Sequence, residues 1–194
     1  MQIKNRGDYA YIENGITEDF GWTKWYDWSV VKRHTGIINI FLALAVAIGA
    51  FALRQYLAKD GIFNLFISLI AAVLVWLFII TPIHELLHLL PLAGFRLDEK
   101  CVITIGKGTV SAIYNGKTTK FKECISIILP IIVLTVILLP LTMLCTEQIR
   151  IFMIFLLVLN IYGSYTDVYL LFYTMKRTDK KDIIFGMYRM EHRI

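Results

Sequence analysis

Charge is scarce in this chain. Only 18 % of its 194 residues are Asp, Glu, Lys or Arg, while 57 % are hydrophobic and mean hydropathy is +0.63. A soluble domain carries about a quarter charged residues, so the surplus apolar content points to lipid as the solvent and not to a larger core. Cysteine is scarce as well. Cys101, Cys124 and Cys145 are odd in number and widely spaced with no CxxC pair, which excludes a disulfide framework or a zinc ribbon and leaves three small hydrophobes. No short basic start leads at once into an apolar stretch, so no cleavable signal peptide is expected. Repeats and low-complexity linkers are lacking, and the length fits one domain. The net charge of +5 does not mark a nucleic-acid surface, because the cations cluster beside apolar segments and form no stripe with stacking aromatics. The expected surroundings are a lipid bilayer, with no nucleic-acid partner.

Long apolar runs are what the sequence has in quantity. Four are long enough for a spanning helix of about 20 residues: roughly Gly36 to Ala58, Ile62 to Leu90, Glu123 to Leu144, and Ile149 to Thr174. Pro82, Pro130 and Pro140 each remove a helical donor, so kinks are expected, with the freed carbonyls served by neighbouring helices or by Ser and Thr hydroxyls. If the N-terminus is cytoplasmic, 17 of the 20 Lys and Arg residues fall in cytoplasmic segments, and only Arg54, Lys59 and Arg150 lie opposite. The positive-inside rule therefore places both termini in the cytoplasm of a multi-pass protein of the cell membrane.

The segments outside the spans divide into three. Residues 1–35 contain ITEDFGWTKWYDWSVVKRH, an aromatic-rich stretch ending on Lys32 and Arg33, expected to lie at the interface. The insertion at about 95–122 reads as short strands separated by GKG and by Asn115-Gly116, the latter a two-residue hairpin signal. Residues 176–194 read as a charged cytoplasmic tail. The expected fold is an all-α integral membrane protein of four transmembrane helices over 36–175, with a small cytoplasmic β-hairpin or three-stranded sheet between helices two and three.

The chemistry concentrates in TPIHELLHLLP. His84, Glu85 and His88 form H-E-x-x-H, and the i, i+4 spacing on a helix sets both imidazoles on one face, able to hold one zinc ion. Glu85, about 100° further round, suits a base beside the metal better than a ligand. Ionisable residues inside a membrane helix are energetically expensive and are usually functional, although a structural histidine pair is the alternative. A catalytic zinc needs a third protein ligand and an open position. Asp167 is the intramembrane acid that qualifies. It follows Asn160 and Ser164 at i, i+4 and i+7, and the topology puts it at the same cytoplasmic end as HELLH. An ion pair with Lys176 or Arg177 is the competing role for Asp167. Asn160 is a candidate for binding substrate or the oxyanion, or for joining helices, and Gly163 for close packing. His34 and His192 lie in charged flanks without metal spacing.

TPIHELLH, together with NIYGSYTDVYLLFY and the later DIIFGMYRM, resembles the family of membrane zincin peptidases catalogued as domain of unknown function 3267. The pattern is similar to the site-2 protease type of intramembrane metalloprotease, and the resemblance covers roughly Ile62 to the C-terminus. It implies His84, His88 and Asp167 as zinc ligands and Glu85 as the catalytic acid/base. Site-2 proteases usually draw their aspartate from an LDG-like motif, whereas here the residues are TDVY. The expected activity is zinc-dependent cleavage of peptide bonds in membrane or membrane-proximal protein or peptide substrates, with the site toward the cytoplasm. The cytoplasmic hairpin, next to HELLH, offers a strand edge for an unwound substrate. Two other readings stand beside it: a membrane protein that binds zinc or a partner without hydrolysis, and a purely structural bundle.

Overall fold

A computed structural model describes residues 1–5, 23–24, 62–106, 109–185 and 188–190. The first expected span, 36–58, lies outside the described residues, as do His34 and His192. Three helices among the described residues are long and apolar enough to cross a membrane: Phe63–Leu92, Lys120–Leu144 and Ile149–Arg177.

The first of these is a composite. Helix α1 (Ile62–Val75) passes through a π-helical segment, Trp76–Ile80, into α2 (Thr81–Leu92), which carries HELLH. Pro82 explains the irregular turn. A proline has no N–H to give, so a regular α-helical ladder would lose a rung there, and the chain widens by one residue instead. Thr81 closes the wide turn, giving its backbone N–H and, at 2.9 Å, its hydroxyl to the Trp76 carbonyl. Helix α2 ends where Gly94 and Phe95 both turn to φ 63°, and the Phe95 N–H returns to the Leu90 carbonyl at 2.7 Å.

Helix α3 (Lys120–Leu144) runs through Pro130 and Pro140 without interruption. The fourth apolar run is a composite too. It divides into α4 (Glu147–Gly163) and α5 (Tyr165–Arg177), separated at Ser164. The Ser164 hydroxyl donates to the Asn160 carbonyl at 2.9 Å, a bond back to the preceding turn that favours a bend.

The helices share a core of Ala72, Ile80, Leu134, Leu138, Met153 and Leu156, against which Trp76 packs. Their outer faces stay apolar: Phe63, Phe78, Val136 and Leu144 are all strongly exposed. Such a belt suits a lipid-facing surface and would be unfavourable in water.

Strands are more extensive than expected of a nearly all-α chain. β3 (Cys101–Gly106) and β4 (Thr109–Tyr114) form an antiparallel hairpin, and β1 (Gln2–Asn5) adds to β3 in parallel, giving the order β1-β3-β4. The last pair of this ladder is Gly106 with Thr109. Asn115-Gly116 is therefore not the hairpin turn. It leads out of β4, and the Tyr114 ring lies so close to Gly116 that a Cβ there would meet it at 2.4 Å. A second sheet, β2-β7-β6-β5, joins β2 (Thr23–Lys24) and β5 (Thr118–Thr119) to β6 (Ile183–Phe185) and β7 (Tyr188–Met190). The described part of residues 1–35 is thus strand, and the region read as a charged tail folds back as two strands. Ile184, fully buried, anchors that sheet on Tyr169, Leu170 and Tyr173 of α5.

Candidate metal centre

Three side chains from two separate helices converge. His84 Nε2 stands 2.9 Å from Asp167 Oδ2, His88 Nε2 stands 3.2 Å from His84 Nε2, and His88 Nε2 lies 3.7 Å from Asp167 Oδ2. Their side chains are only 12 to 17 % exposed. At 1.5 Å per residue, His84 and His88 lie roughly 12 and 6 Å from the end of α2, and Asp167 roughly 15 Å from the end of α5. The three candidate ligand atoms nevertheless lie within 4.8 Å of one another.

Local structure aims each of these side chains. The π-segment sets the rotation of α2 just before His84. The break at Ser164 restarts the helix so that Asp167 falls in the first turn of α5, where the helix dipole favours a carboxylate. The Asp167 N–H is itself held by the Ser164 carbonyl at 3.1 Å. Asp167 meets the histidines, and no ion pair with Lys176 or Arg177 occurs among the described contacts.

His88 has a fixed tautomer. Its Nδ1 lies 2.8 Å from the Ser126 carbonyl, which can only accept, so Nδ1 carries the proton and Nε2 presents a lone pair. Pro130 explains why that carbonyl is available. In α3 the Ser126 carbonyl would normally take the N–H of the residue four positions on, and Pro130 has none. The Ser126 hydroxyl completes the tie by donating to the His88 carbonyl.

These residues fit a zinc ion. At tetrahedral angles and bonds of about 2.0–2.1 Å, ligand atoms stand about 3.3–3.4 Å apart; the observed edges of 2.9, 3.2 and 3.7 Å bracket that value. The donor chemistry agrees, since a lone pair on His88 Nε2 faces His84 Nε2, and a single proton on the latter cannot serve both His88 and Asp167. A cation among the three atoms serves all of them.

Glu85 belongs to the same surroundings without joining the triad. It is close enough to His84 and Asp167 to interact electrostatically with both, and its Oε2 accepts a hydrogen bond from the Ala112 N–H at 2.6 Å. Asn160 is buried and lies elsewhere: its Nδ2 meets Thr135 Oγ1 of α3 at 3.4 Å, and its Oδ1 has no partner. The described contacts give it a helix-joining role. Ser126, Ala112, Thr81 and Trp76 escaped the sequence reading. Ser126 carried a signal, a small polar residue four before a proline in a spanning helix. Ala112 carried none, because only its backbone takes part.

Two histidines and an aspartate close enough together to hold one metal ion, with a glutamate beside them, thus meet within an apolar, mostly helical protein. The chain belongs to the domain of unknown function 3267 family, described as a putative zincin peptidase, whose profile matches residues 77–181, just over half the chain. That stretch holds both halves of the site. No curated protein and no solved structure matches the chain.

Proposed function

We propose that this protein is a multi-pass membrane zinc metalloendopeptidase, cutting membrane or membrane-proximal substrates with its site toward the cytoplasm. The observation that carries the reading is the convergence of His84, His88 and Asp167 at spacings that suit tetrahedral zinc, one residue from Glu85. Held by His84, His88 and Asp167, a zinc ion would polarise a peptide carbonyl and acidify a water molecule. Glu85 takes the proton that the attacking water loses and returns it to the leaving amine, as a positioned general base and acid. His84, His88 and Asp167 would hold the ion, and the Ser126 carbonyl keeps the His88 imidazole in register. The sequence pattern, TPIHELLH with a later aspartate in an apolar run, supports the likeness to site-2 proteases, with TDVY in place of their usual aspartate motif. The exposed apolar faces and the distribution of Lys and Arg support a bilayer setting with cytoplasmic termini. Asn160 is proposed to act through helix packing; contact with substrate is the alternative.

The test is Glu85→Gln beside His84→Ala, each purified in detergent. Glu85→Gln is expected to keep one zinc per chain and lose turnover by about a hundredfold or more. His84→Ala is expected to lose the metal. Full turnover in Glu85→Gln would remove the mechanism and leave a zinc-binding protein without hydrolysis; a wild type that retains no metal would leave a structural bundle.

A further inference from the structure

Helix α5 carries Asp167, and the bend at Ser164 separates it from α4, so among the helices it packs chiefly on α3. One side chain ties its far end there. Lys120, the first residue of α3, turns its ammonium to the end of α5 and donates to the Met175 carbonyl at 2.9 Å and to the Thr178 carbonyl. A helix leaves its last carbonyls without intrahelical partners and is negative at that end, so a lysine suits them in hydrogen bonding and in charge.

The same helix holds the other half of the centre. Six residues on from Lys120, about 9 Å along the axis of α3, Ser126 is joined to His88 in both directions, its carbonyl accepting from Nδ1 and its hydroxyl donating to the His88 carbonyl. Thus α3 grips both helices that carry the candidate ligands, α2 at His88 itself and α5 at a point about 12 Å beyond Asp167. Metal–ligand distances tolerate only about 0.2 Å, so a small slide of α5 along α3 would carry Asp167 out of reach of an ion held by the histidines.

We propose that Lys120 is a positioning residue for the metal centre: by tying the end of α5 to the start of α3, it sets the height of Asp167 against His88 and so the affinity for the ion. The inference rests on the zinc reading of the site and does not require hydrolysis. Among the described contacts Lys120 meets none of the three candidate ligands and acts through α5. The sign of its effect is distinctive. A lysine felt only as a nearby positive charge would repel zinc, and its removal would tighten binding; a positioning lysine makes its removal weaken binding.

The experiment measures zinc affinity of the full chain in detergent, by competition with a chelator, in wild type, Lys120→Met, Lys120→Arg, Asp167→Ala and the double variant Lys120→Met/Asp167→Ala. Lys120→Met is expected to bind zinc about tenfold more weakly, as for loss of partners that orient ligands. Lys120→Arg, which keeps the charge and offers several donors to the two carbonyls, is expected to bind within about threefold of wild type. In the Asp167→Ala background, Lys120→Met is expected to change affinity by less than about twofold, because the group whose height it sets is gone. Unchanged or tighter binding in Lys120→Met overturns the proposal, as does an equal loss in both backgrounds, which is what a purely structural lysine predicts. Should Lys120→Met not fold, Lys120→Gln, a neutral donor able to serve one carbonyl, takes its place; a loss between those of the methionine and arginine variants is expected, and no loss overturns the proposal. Turnover in Glu85→Gln tests the peptidase mechanism separately, and its failure leaves the Lys120 result standing. A wild type that takes up no zinc overturns both.

Discussion

The carbonyl of Ser126 accepts a hydrogen bond from His88 Nδ1 at 2.8 Å, across 38 residues of chain. A proline inside a spanning helix is usually an expense to be explained, and here Pro130 leaves a backbone acceptor free to orient a metal-ligand candidate. Partners of this kind set which ring nitrogen carries the proton, and their loss typically weakens metal binding by ten- to a hundredfold.

Pro130→Ala separates stability from function. The new N–H gives the Ser126 carbonyl an intrahelical partner that competes with His88 Nδ1. Helix propensity rises by up to about 3 kcal/mol, partly offset by the packing of the buried proline ring. We expect a higher unfolding temperature of the metal-free protein and zinc affinity about tenfold lower, measured by competition with a chelator. Unchanged affinity would show that His88 does not depend on that carbonyl.

Gly163→Ala tests the brace between the two irregular helices. The indole of Trp76 lies so close that a Cβ on Gly163 would meet Cζ2 at 2.8 Å and Cε2 at 3.4 Å. Trp76 opens the π-segment ahead of HELLH, and Gly163 is the last residue before the break that leads to Asp167. The substitution is expected to destabilise by about 1–3 kcal/mol, as overpacking does, and to weaken zinc retention. Trp76→Leu in the same chain should recover part of the loss. A double-mutant cycle with strictly additive effects would refute the coupling.

Much of this arrangement was legible in the sequence, and its gaps have physical causes. HELLH, Asp167 and their convergence followed from periodicity and charge placement, both properties of side chains in a fixed helical frame. The break at Ser164 was not legible, because Gly and Ser are tolerated within membrane helices and the apolar run continues across them. Asn115-Gly116 misled because the dipeptide reports a local turn preference, whereas the hairpin register is set by the pairing of β3 with β4. β1, β6 and β7 were missed because each is only three or four residues long and gains its order from pairing partners, not from its own pattern. The Glu85 contact involves a backbone N–H that any residue but proline supplies.

Asp167→Ala removes one donor of three and leaves His84 Nε2 without the carboxylate at 2.9 Å. Zinc affinity is expected to fall by at least about tenfold to a hundredfold, and more than in Asp167→Glu, which keeps a carboxylate. Metal titration of the three proteins at one pH checks the order. If Asp167→Ala bound zinc as tightly as wild type, the third ligand would have to be sought elsewhere.

The hairpin that carries Ala112 should loosen in alkali. Cys101 and Tyr114 face each other across β3 and β4, and burial, the largest influence on each, pushes the Cys101 thiol above its ordinary value of about 9 and the Tyr114 phenol above about 10. Both groups are neutral when protonated, so the folded chain holds these protons more tightly than the unfolded chain does. Stability is therefore unaffected below the ordinary values and is lost as pH rises from them through the raised folded ones. Thermal unfolding of zinc-free protein is expected to show a falling midpoint that begins near pH 9. Cys101→Val, which keeps an apolar side chain at a fully buried position, should flatten the first part of that decline, while the part beginning near pH 10 persists until Tyr114→Phe is added. A decline identical in all three proteins would place its origin outside the hairpin.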